Sequence, residues 1–415
     1  MLLYNLITRI YFLIIYLSSP FNPKAKLWIN GRKNLLNIIN KSLQKDEKRI
    51  WIHCASLGEF EQGRPIIERL KTEFPHHKIV LTFFSPSGYE IRKNYKFADY
   101  VFYLPADTSK NAKALISLIN PDFVIFIKYE FWMHYINELW DKQIPLYLVS
   151  ANFRKEQLFF KWYGSFYRNI LNKISYFFVQ NDESKALLST IGIKDVMSSG
   201  DTRFDRVYDI ALSNKEIPFI ANFCKDNMIF IAGSIYTKDA ELIASLIMKN
   251  KDKKIKFIIA PHEIKAEDIL EMIKSFNGKT IRYSQADEHD NNKDVKVLII
   301  DSIGMLSQLY KYGKIAYIGG GFGKGIHNIL EPAAFGMPIF FGPNYRKFNE
   351  AVELINSGCA YSIKSSEELN SLIFDLLSNE KKLEDLSLIS KKFVEKNKGA
   401  TERIIAKIKE FNPSK

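Results

Sequence analysis

Apolar runs rich in β-branched and aromatic residues alternate with amphipathic stretches along nearly the whole chain. Such runs are typical of strands buried in a parallel sheet, and amphipathic stretches are typical of the helices that cover both faces of that sheet. In the first half, the pattern predicts strands at Ile50–Ser56, Lys78–Ser85, Tyr100–Leu104, Phe123–Glu130, Pro145–Ala151, Tyr176–Asn181 and Asp195–Gly200. In the second half, it predicts strands at Met228–Ser234, Lys254–His262, Val295–Asp301, Lys314–Gly320, Pro338–Gly342 and Cys359–Ile363. We therefore predict an α/β protein with two doubly wound, Rossmann-like sheets.

The periodicity weakens between the two sets of strands, where Pro218 also lies. This break predicts a linker at residues 211–227. We accordingly predict a first domain at 23–210, a second domain at 228–400 and a C-terminal tail at 401–415. Ligands of such sheets bind at the carboxyl ends of the strands, so two facing domains predict a ligand cleft between them.

The first 19 residues contain 14 apolar or tyrosine side chains, interrupted by Asn5, Thr8 and Arg9. The longest apolar run, Ile10–Leu17, is shorter than a membrane-spanning helix, which needs about 20 predominantly apolar residues. No small-residue cleavage motif follows, so we interpret residues 1–22 as a retained anchor helix that lies in one leaflet or partly enters it. The alternative is a helix docked on the protein's own core, because a short apolar pattern does not distinguish protein from lipid.

Composition adds a basic surface to this picture. The 415 residues include 59 Lys plus Arg and 46 Asp plus Glu, which gives a formal net charge of +13. Basic residues outnumber acidic ones just after the N-terminal segment, which predicts a cytoplasmic position at an anionic membrane surface. The basic residues are dispersed and form no recognised nucleic-acid module, so we predict no nucleic-acid partner.

The cysteines and histidines indicate no metal site. Cys54, Cys224 and Cys359 are widely spaced and form no paired motif, which fits a reducing, cytoplasmic setting. The seven histidines include no His-Glu-x-x-His pair and no cluster with ligand spacing. We therefore predict no metal.

The segment Ser56-Leu57-Gly58-Glu59 lies where the first predicted strand of the body passes into a helix. One interpretation is a capping box, in which Ser56 and Glu59 each accept a hydrogen bond from a backbone amide at the helix start. The other is catalytic, because a carboxylate at the carboxyl end of a strand is well placed as a general base, although the helix dipole weakens it.

A Gly-rich run at residues 319–325 leads into His327, Asn328 and Glu331, and matches neither the P-loop nor the dinucleotide fingerprint. Glycines let a backbone approach a phosphate, and the following helix start offers free amides. Gly321 and its neighbours are therefore candidates for stabilising an anionic leaving group, and Glu331 for binding a ribose diol. The alternative is a tight structural turn.

Charged residues follow other predicted strands of the first half, in the segments Lys128–Trp132, Ser150–Arg154 and Gly200–Asp205. Singly, such a charge is more often a solvated loop residue than a ligand. Together, these segments would line one cleft with the carboxylate of Glu130 and several cations, among them Arg203, which suits an anionic sugar or phosphate.

Taken together, these motifs resemble those of bacterial 3-deoxy-D-manno-octulosonic acid (Kdo) transferases. The resemblance rests on Ser-x-Gly-Glu at Ser56–Glu59, on Glu-Phe-Trp at Glu130–Trp132, and on the Gly-rich turn that runs into His327-Asn328-x-x-Glu331-Pro-Ala-Ala-x-Gly. An apolar amino terminus followed by Gly31-Arg32-Lys33 also matches. The similarity spans nearly the entire chain.

The resemblance implies a GT-B fold, in which the first domain binds the acceptor, the second binds a nucleotide sugar, and the last helix returns towards the first domain. It also implies transfer of Kdo from CMP-Kdo to the tetra-acylated lipid A precursor, as a step of lipopolysaccharide core biosynthesis. The reaction would invert the anomeric carbon, need no metal or other cofactor, and take place at the cytoplasmic face of the inner membrane.

The resemblance also assigns site residues. Glu59 corresponds to the general base, and Glu130 and Arg203 to residues that stabilise the transition state. It places donor-binding residues at Pro261, His262, Ile303, Gly304, Met305, Asn328, Ile329, Leu330 and Glu331, to which the Gly-rich turn adds Gly321.

The chain departs from the family pattern at three positions of the site. It lacks the Arg that often accompanies the His of the Pro261-His262 segment, and it has Arg203 where Lys is usual. Met305 stands where Glu commonly follows Gly304. We expect Lys324 to compensate for the missing Arg.

Two rival functions stay open. One is a GT-B transferase that uses another nucleotide sugar and has no need to bind a donor carboxylate. The other is a non-catalytic, membrane-docked nucleotide-binding protein, for which Glu59 would be dispensable.

Overall fold

The computed structural model describes residues 1–213, 216–250, 254–276, 279–286 and 294–413. The chain divides into two compact units. Unit 1 comprises Met1–Asp205 and Gly399–Lys415, and unit 2 comprises Arg206–Lys398.

Unit 1 contains a parallel sheet made of β1 (Lys48–Cys54), β2 (His77–Phe83), β3 (Tyr100–Tyr103), β4 (Phe123–Ile127), β5 (Leu146–Ala151), β6 (Tyr176–Val179) and β7 (Val196–Ser198). The strands lie in the order β3-β2-β1-β4-β5-β6-β7. The chain order reverses between β1 and β4, so the carboxyl ends of these two strands form the topological switch point, where ligands of open α/β sheets bind.

Helices cover both faces of this sheet, which explains why its strands contain continuous apolar runs instead of a strict alternation of apolar and polar residues. In β1, Ile50 and Ile52 are buried in one core and Trp51 in the other. The helices are α1 (Leu2–Ser18), α2 (Pro23–Asn30), α3 (Leu35–Ser42), α4 (Leu57–Glu73), α5 (Pro86–Arg92), α6 (Ser109–Ile119), α7 (Met133–Asp141), α8 (Ser165–Leu171) and α9 (Asp182–Thr190). α10 (Thr202–Leu212) begins in unit 1 and continues into unit 2.

The chain returns to unit 1 at its C-terminal end. The last helix of the chain, Ala400–Phe411, buries Ile404, Ile405 and Ile408 in the same core as the apolar face of α4. The return begins at Gly399, two residues before the predicted tail, and residues 414–415 of that tail lie outside the described residues.

One face of helix α1 packs against the rest of unit 1. The hydroxyl of Tyr4 donates to the buried Asp107, whose pKa is raised by burial, and Oδ1 of Asn5 lies 2.6 Å from Nε2 of His134. The other face exposes Leu3, Leu6, Ile7, Ile10, Leu13, Ile14 and Leu17. Over the described ranges, no helix combines the length and the apolarity needed to cross a membrane. The anchor role of residues 1–22 stays a prediction.

Unit 2 contains a second parallel sheet, made of β8 (Met228–Ile235), β9 (Ile255–Pro261), β10 (Thr280–Arg282), β11 (Val297–Ile299), β12 (Ile315–Ile318), β13 (Ile339–Phe341) and β14 (Ala360–Ser362). The order is β10-β11-β9-β8-β12-β13-β14. Its switch point therefore lies between the carboxyl ends of β8 and β12.

The helices of unit 2 correct the predicted domain boundaries. They are α11 (Pro218–Cys224), α12 (Thr237–Lys249), α13 (Ala266–Ser275), α14 (Leu306–Leu309), α15 (Leu330–Ala334), α16 (Asn349–Asn356), α17 (Ser366–Ser378) and α18 (Glu380–Asn397), and the C-terminal helix at Ala400–Phe411 is α19. The linker predicted at 211–227 was wrong, because α11 buries Phe219, Ile220 and Phe223 within unit 2. Residues 214–215 of that segment lie outside the described residues.

All the strands predicted from the sequence are confirmed, and β10 was missed. β10 has only three residues, all half-buried, and lies at the edge of the sheet. An edge strand of this length leaves too short an apolar run to stand out from a loop.

Candidate active site

Glu59 lies on the first turn of α4, just beyond the carboxyl end of β1 at the switch point of unit 1. The Ser56 hydroxyl donates a hydrogen bond to Oε2 of Glu59 and makes no capping bond to an amide of α4. The capping-box interpretation was therefore wrong. The half-buried Glu59 carboxylate is held at the strand end by a hydroxyl.

Glu130 follows β4 on the other side of the same switch point. The indole Nε1 of Trp132 donates to its Oε2 at 2.6 Å, and Nε2 of His53 lies 3.4 Å from the same oxygen. Burial raises the pKa of the Cys54 thiol, and the charges of Glu59 and Glu130 raise it further. The structure thus brings both predicted carboxylates near one buried thiol.

Arg203 lies in the first turn of α10, beyond the end of β7. Its Nε and Nη2 donate to Oδ2 of Asp201 at 2.9 and 2.6 Å, so part of its charge is already neutralised. The neighbouring Thr202 hydroxyl donates to the carbonyl oxygen of Gln62 at 2.6 Å, which ties this turn to α4. The turn that carries Arg203 is therefore hydrogen-bonded to the helix that carries Glu59.

Asp239 organises the switch point of unit 2. Its buried carboxylate accepts the Tyr317 hydroxyl at 2.6 Å and the backbone amides of Tyr236 and Gly320 at 2.9 and 3.1 Å. These partners come from the end of β8, from β12 and from the Gly-rich turn. One carboxylate therefore fixes both sides of the switch point.

The Gly-rich turn is required by backbone packing. Gly320 has φ +91°, and a Cβ at Gly321 would lie 2.5 Å from the backbone nitrogen of Gly342. The structural interpretation of these glycines is therefore sufficient, and phosphate binding at Gly321 stays a prediction. Lys324 is exposed on the same turn.

Three rings stack beside this turn. The His262 and His327 centroids lie 4.2 Å apart, and Tyr236 lies 4.8 Å from His262. Nε2 of His327 lies 3.1 Å from the Tyr236 hydroxyl. Burial and the neighbouring His262 lower the pKa of His327 to about 4, so its imidazole is neutral at physiological pH.

Asn328 and Glu331 form a second group at the start of α15. Nδ2 of Asn328 donates to Oε1 of Glu331 at 3.0 Å, and Oδ1 accepts the Leu330 amide at 3.0 Å. The expectation of free amides was wrong for Leu330, because the Asn328 side chain already binds its amide. Burial raises the pKa of Glu331, while the charge of Arg206 and the Asn328 hydrogen bond act against it. The side chains of Ile329 and Leu330 are buried.

The remaining residues that were predicted to bind the sugar donor lie at the carboxyl ends of other strands of this sheet. Pro261 ends β9, the neighbour of β8, and the exposed His262 follows it. Ile303 and Gly304 follow β11, one strand further out, and Met305 precedes α14. The Ile303 side chain is 92% exposed.

Sequence reasoning missed His53, Asp239 and Tyr236. His53 is a buried histidine near the end of β1, Asp239 is a buried carboxylate in the first turn of the amphipathic α12, and Tyr236 is an aromatic residue beyond a strand end. Across the described residues, no group of three His, Cys, Asp or Glu side chains is placed to hold a metal ion.

Comparison with known proteins decides the family. The family model for 3-deoxy-D-manno-octulosonic-acid transferase (kdotransferase) matches residues 31–206. A 3-deoxy-D-manno-octulosonic acid transferase of Aquifex aeolicus is 31% identical over 350 residues, which cover 83% of this chain and 90% of the relative. The chain belongs to the Kdo transferase family.

Other similarities agree with this assignment. The Kdo transferase of Rickettsia bellii is 28% identical over 422 residues, which cover 98% of each chain. The crystal structure of MurG from Acinetobacter baumannii covers 88% of this chain and 99% of its own, with a TM-score of 0.54 and 13% identity, and supports the GT-B fold. The chain is therefore a glycosyltransferase of lipopolysaccharide biosynthesis.

Proposed function

We propose that this Kdo transferase moves Kdo from CMP-Kdo to the tetra-acylated lipid A precursor, with inversion and without a metal. The observation that carries the proposal is the Glu59 carboxylate at the switch point of unit 1, which is held by Ser56 beyond the end of β1, while Glu130 follows the neighbouring strand β4. An inverting displacement needs one base on the face of the sugar opposite the leaving group.

In the proposed reaction, Glu59 removes the proton from the attacking lipid hydroxyl as that oxygen bonds to the anomeric carbon of Kdo. The bond from this carbon to the phosphate oxygen breaks, and its electron pair leaves with CMP. Glu130 is fixed by Trp132, and it orients the reacting groups around the developing positive charge. Arg203 supplies a cation for the Kdo carboxylate.

Unit 2 supplies the donor site in this proposal. Glu331 and Asn328 bind the ribose, and the turn around Gly321 receives the departing phosphate. Exposed Lys324 adds a cation there in place of the missing family Arg.

The proposed location is the cytoplasmic face of the inner membrane. An acylated acceptor stays in the bilayer, so the enzyme has to work at its surface. The exposed apolar face of α1 and the basic residues after it suit a helix that lies on an anionic leaflet.

The test uses purified full-length protein, the tetra-acylated precursor, and either CMP-Kdo or a UDP-sugar. We expect CMP release that depends on the acceptor, a product one or more Kdo masses heavier, and unchanged rates in excess EDTA. Release of UDP alone would overturn the donor assignment, and loss of activity in EDTA would overturn the metal-free mechanism.

A matched pair of variants tests the base. Glu59→Gln removes the proton acceptor and is expected to lower the rate by about 10²–10⁴-fold. Glu68→Gln, further along α4, removes the charge from an ion pair with Arg64 and keeps an oxygen that can accept the Tyr95 hydroxyl, so it should leave the rate within about twofold. Normal activity in Glu59→Gln would favour the non-catalytic rival.

A further inference from the structure

The segment that runs from the end of β5 into the first turn of α8 exposes large aromatic side chains. We define residues 154–166 as the aromatic loop. Within it, Trp162 is 89% exposed, Tyr163 56% and Leu158 43%, and the Trp162 and Tyr163 rings meet edge to face at 5.3 Å. Isolated apolar residues are ordinary on protein surfaces, but an adjoining group of this kind marks an interaction surface.

The backbone holds these rings outside the core. Nη1 of Arg168 donates to the carbonyl oxygens of Phe159 and Lys161 at 3.1 and 2.8 Å. The Gly164 amide also donates to Lys161, and a Cβ at Gly164 would overlap the carbonyl oxygen of Leu158. These contacts fix the backbone at both ends of the turn in the conformation that exposes the two rings.

The aromatic loop and α1 are joined by a row of rings within unit 1. Tyr11 of α1 stacks on Phe84 with centroids 6.4 Å apart, and Phe84 packs on Trp132 at 4.7 Å. The residue before Trp132, Phe131, contacts Phe159 of the loop at 4.8 Å. This row lies at the carboxyl ends of the strands, beside the carboxylates of the candidate site.

The charges around the loop favour lipid over protein as the partner. Residues 154–168 contain Arg154, Lys155, Lys161 and Arg168, with Glu156 as the single acid. Trp and Tyr beside basic residues are typical of the interface between a bilayer and water, where the rings lie at head-group level and the cations meet anionic lipid. Protein interfaces, in contrast, are depleted of Lys.

We propose that the aromatic loop is a second membrane contact, which places Trp162 and Tyr163 at the head-group level of the same anionic leaflet on which α1 lies. Two contacts fix the tilt of unit 1, so the attacking lipid hydroxyl meets Glu59 directly from the bilayer. This inference rests on the proposed membrane-borne acceptor.

The test measures binding of the full-length protein to phosphatidylcholine vesicles with and without phosphatidylglycerol, in the absence of acceptor. We expect Trp162→Ser/Tyr163→Ser to bind the anionic vesicles at least about tenfold more weakly than the unchanged protein. Trp140→Ser is the matched control, because Trp140 is 53% exposed in the last turn of α7, which leads to the amino end of β5 and so lies away from the carboxyl ends of the strands. Thermal midpoints confirm that all three proteins fold.

A second measurement reports on the loop itself. Lipids brominated near the head group should quench part of the tryptophan fluorescence of the unchanged protein and of Trp140→Phe. In Trp162→Phe, this quenching should be lost. Equal vesicle binding and equal quenching in all variants would overturn the proposal. Loss of self-association in the double variant, with vesicle binding unchanged, would also overturn it and identify a surface for a second copy of the chain.

Transfer assays separate this inference from the proposed function. With acceptor dispersed in detergent, the double variant should be as active as the unchanged protein, whereas with acceptor in vesicles it should be slower. An unchanged protein that binds vesicles through Trp162 but transfers no Kdo in either assay would contradict the function and leave the membrane contact intact.

Discussion

Nε2 of the buried His53 lies 3.4 Å from Oε2 of Glu130 across the switch point of unit 1. The other ring nitrogen, Nδ1, lies 2.9 Å from Oγ1 and 3.1 Å from the carbonyl oxygen of Thr82. Thr82 therefore fixes the ring orientation and directs Nε2 at the carboxylate. Because Trp132 donates a hydrogen bond to the same oxygen, the Glu130 carboxylate is confined between the indole and the imidazole.

We expect His53→Asn to lower kcat about tenfold while the KM for donor changes by less than about twofold, because the shorter side chain releases one side of Glu130 without touching substrate. His76→Asn is the control, since His76 is exposed in the loop before β2. Steady-state transfer assays separate kcat from KM. Equal losses in the two variants would show that the His53 contact is not specific to Glu130.

The Ser56 hydroxyl provides a second prediction. Because it donates to the Glu59 carboxylate, Ser56→Ala frees that side chain to rotate and is expected to lower kcat about threefold to tenfold. Ser56→Thr keeps the hydroxyl and should restore most of the rate. If the alanine variant is as fast as the unchanged protein, Ser56 does not position the base.

The sequence was sufficient for thirteen of the fourteen strands that the structure describes and insufficient for the boundary between the units. Continuous apolar runs such as β4 are unambiguous because both faces of the strand are buried. The segment around Pro218 resembled a linker because α11 has only seven residues. So short a helix has too few turns for the spacing of its apolar residues to be recognised in the sequence. Tertiary packing decides such segments.

The candidate site was predictable to the same limited extent. Glu59 and Glu130 could be found because each follows a strand, and topology brings the ends of neighbouring strands together. Asp239 could not be found in this way, because it lies in a helix and its partners become visible only when β8 and β12 are adjacent. The role of such a buried polar residue depends on hydrogen-bond partners that only the folded chain brings together.

Asp239 is expected to be essential for unit 2. Asp239→Asn turns an accepting oxygen into a donor that faces an amide or a hydroxyl, and we expect it to lower the free energy of unfolding by about 2–4 kcal/mol and to weaken CMP binding. Urea unfolding and CMP titration measure the two effects. Glu267→Gln, in the exposed first turn of α13, should change neither. Full stability in Asp239→Asn would show that these hydrogen bonds contribute nothing net.

The pKa of His327 predicts a pH dependence. Burial and His262 hold it at about 4, below the ordinary value of 6.5. Between these two values the unfolded chain binds more protons than the folded chain, so this group makes stability rise with pH and fall on acidification. The raised pKa of Glu331 acts in the opposite direction.

A difference between two proteins isolates the histidine, because Glu331, His262 and Tyr236 are present in both. We expect the Tm of the unchanged protein to fall more steeply than that of His327→Gln as the pH drops from about 6.5 to about 4.5. Calorimetry over this range provides the comparison. Parallel Tm curves would contradict the lowered pKa.

Asp205 attaches the C-terminal helix α19 to the rest of unit 1, where α19 packs on α4. Its carboxylate accepts the amide and the hydroxyl of Thr401 at 2.7 and 2.6 Å, and it also accepts the amide of Gly399, so it caps the start of α19. We expect Asp205→Ala to lower the free energy of unfolding by about 2–4 kcal/mol, since it strands amide and hydroxyl donors near a helix terminus.

Hydrogen exchange tests this attachment directly. In Asp205→Ala, the amides of α19 should exchange at least about tenfold faster, and kcat should fall because α19 packs on the helix that carries Glu59. Glu402→Gln alters an exposed carboxylate in the first turn of α19 and should preserve both the exchange rates and kcat. Faster exchange with unchanged kcat would separate the two effects and show that α4 keeps Glu59 in place without its support.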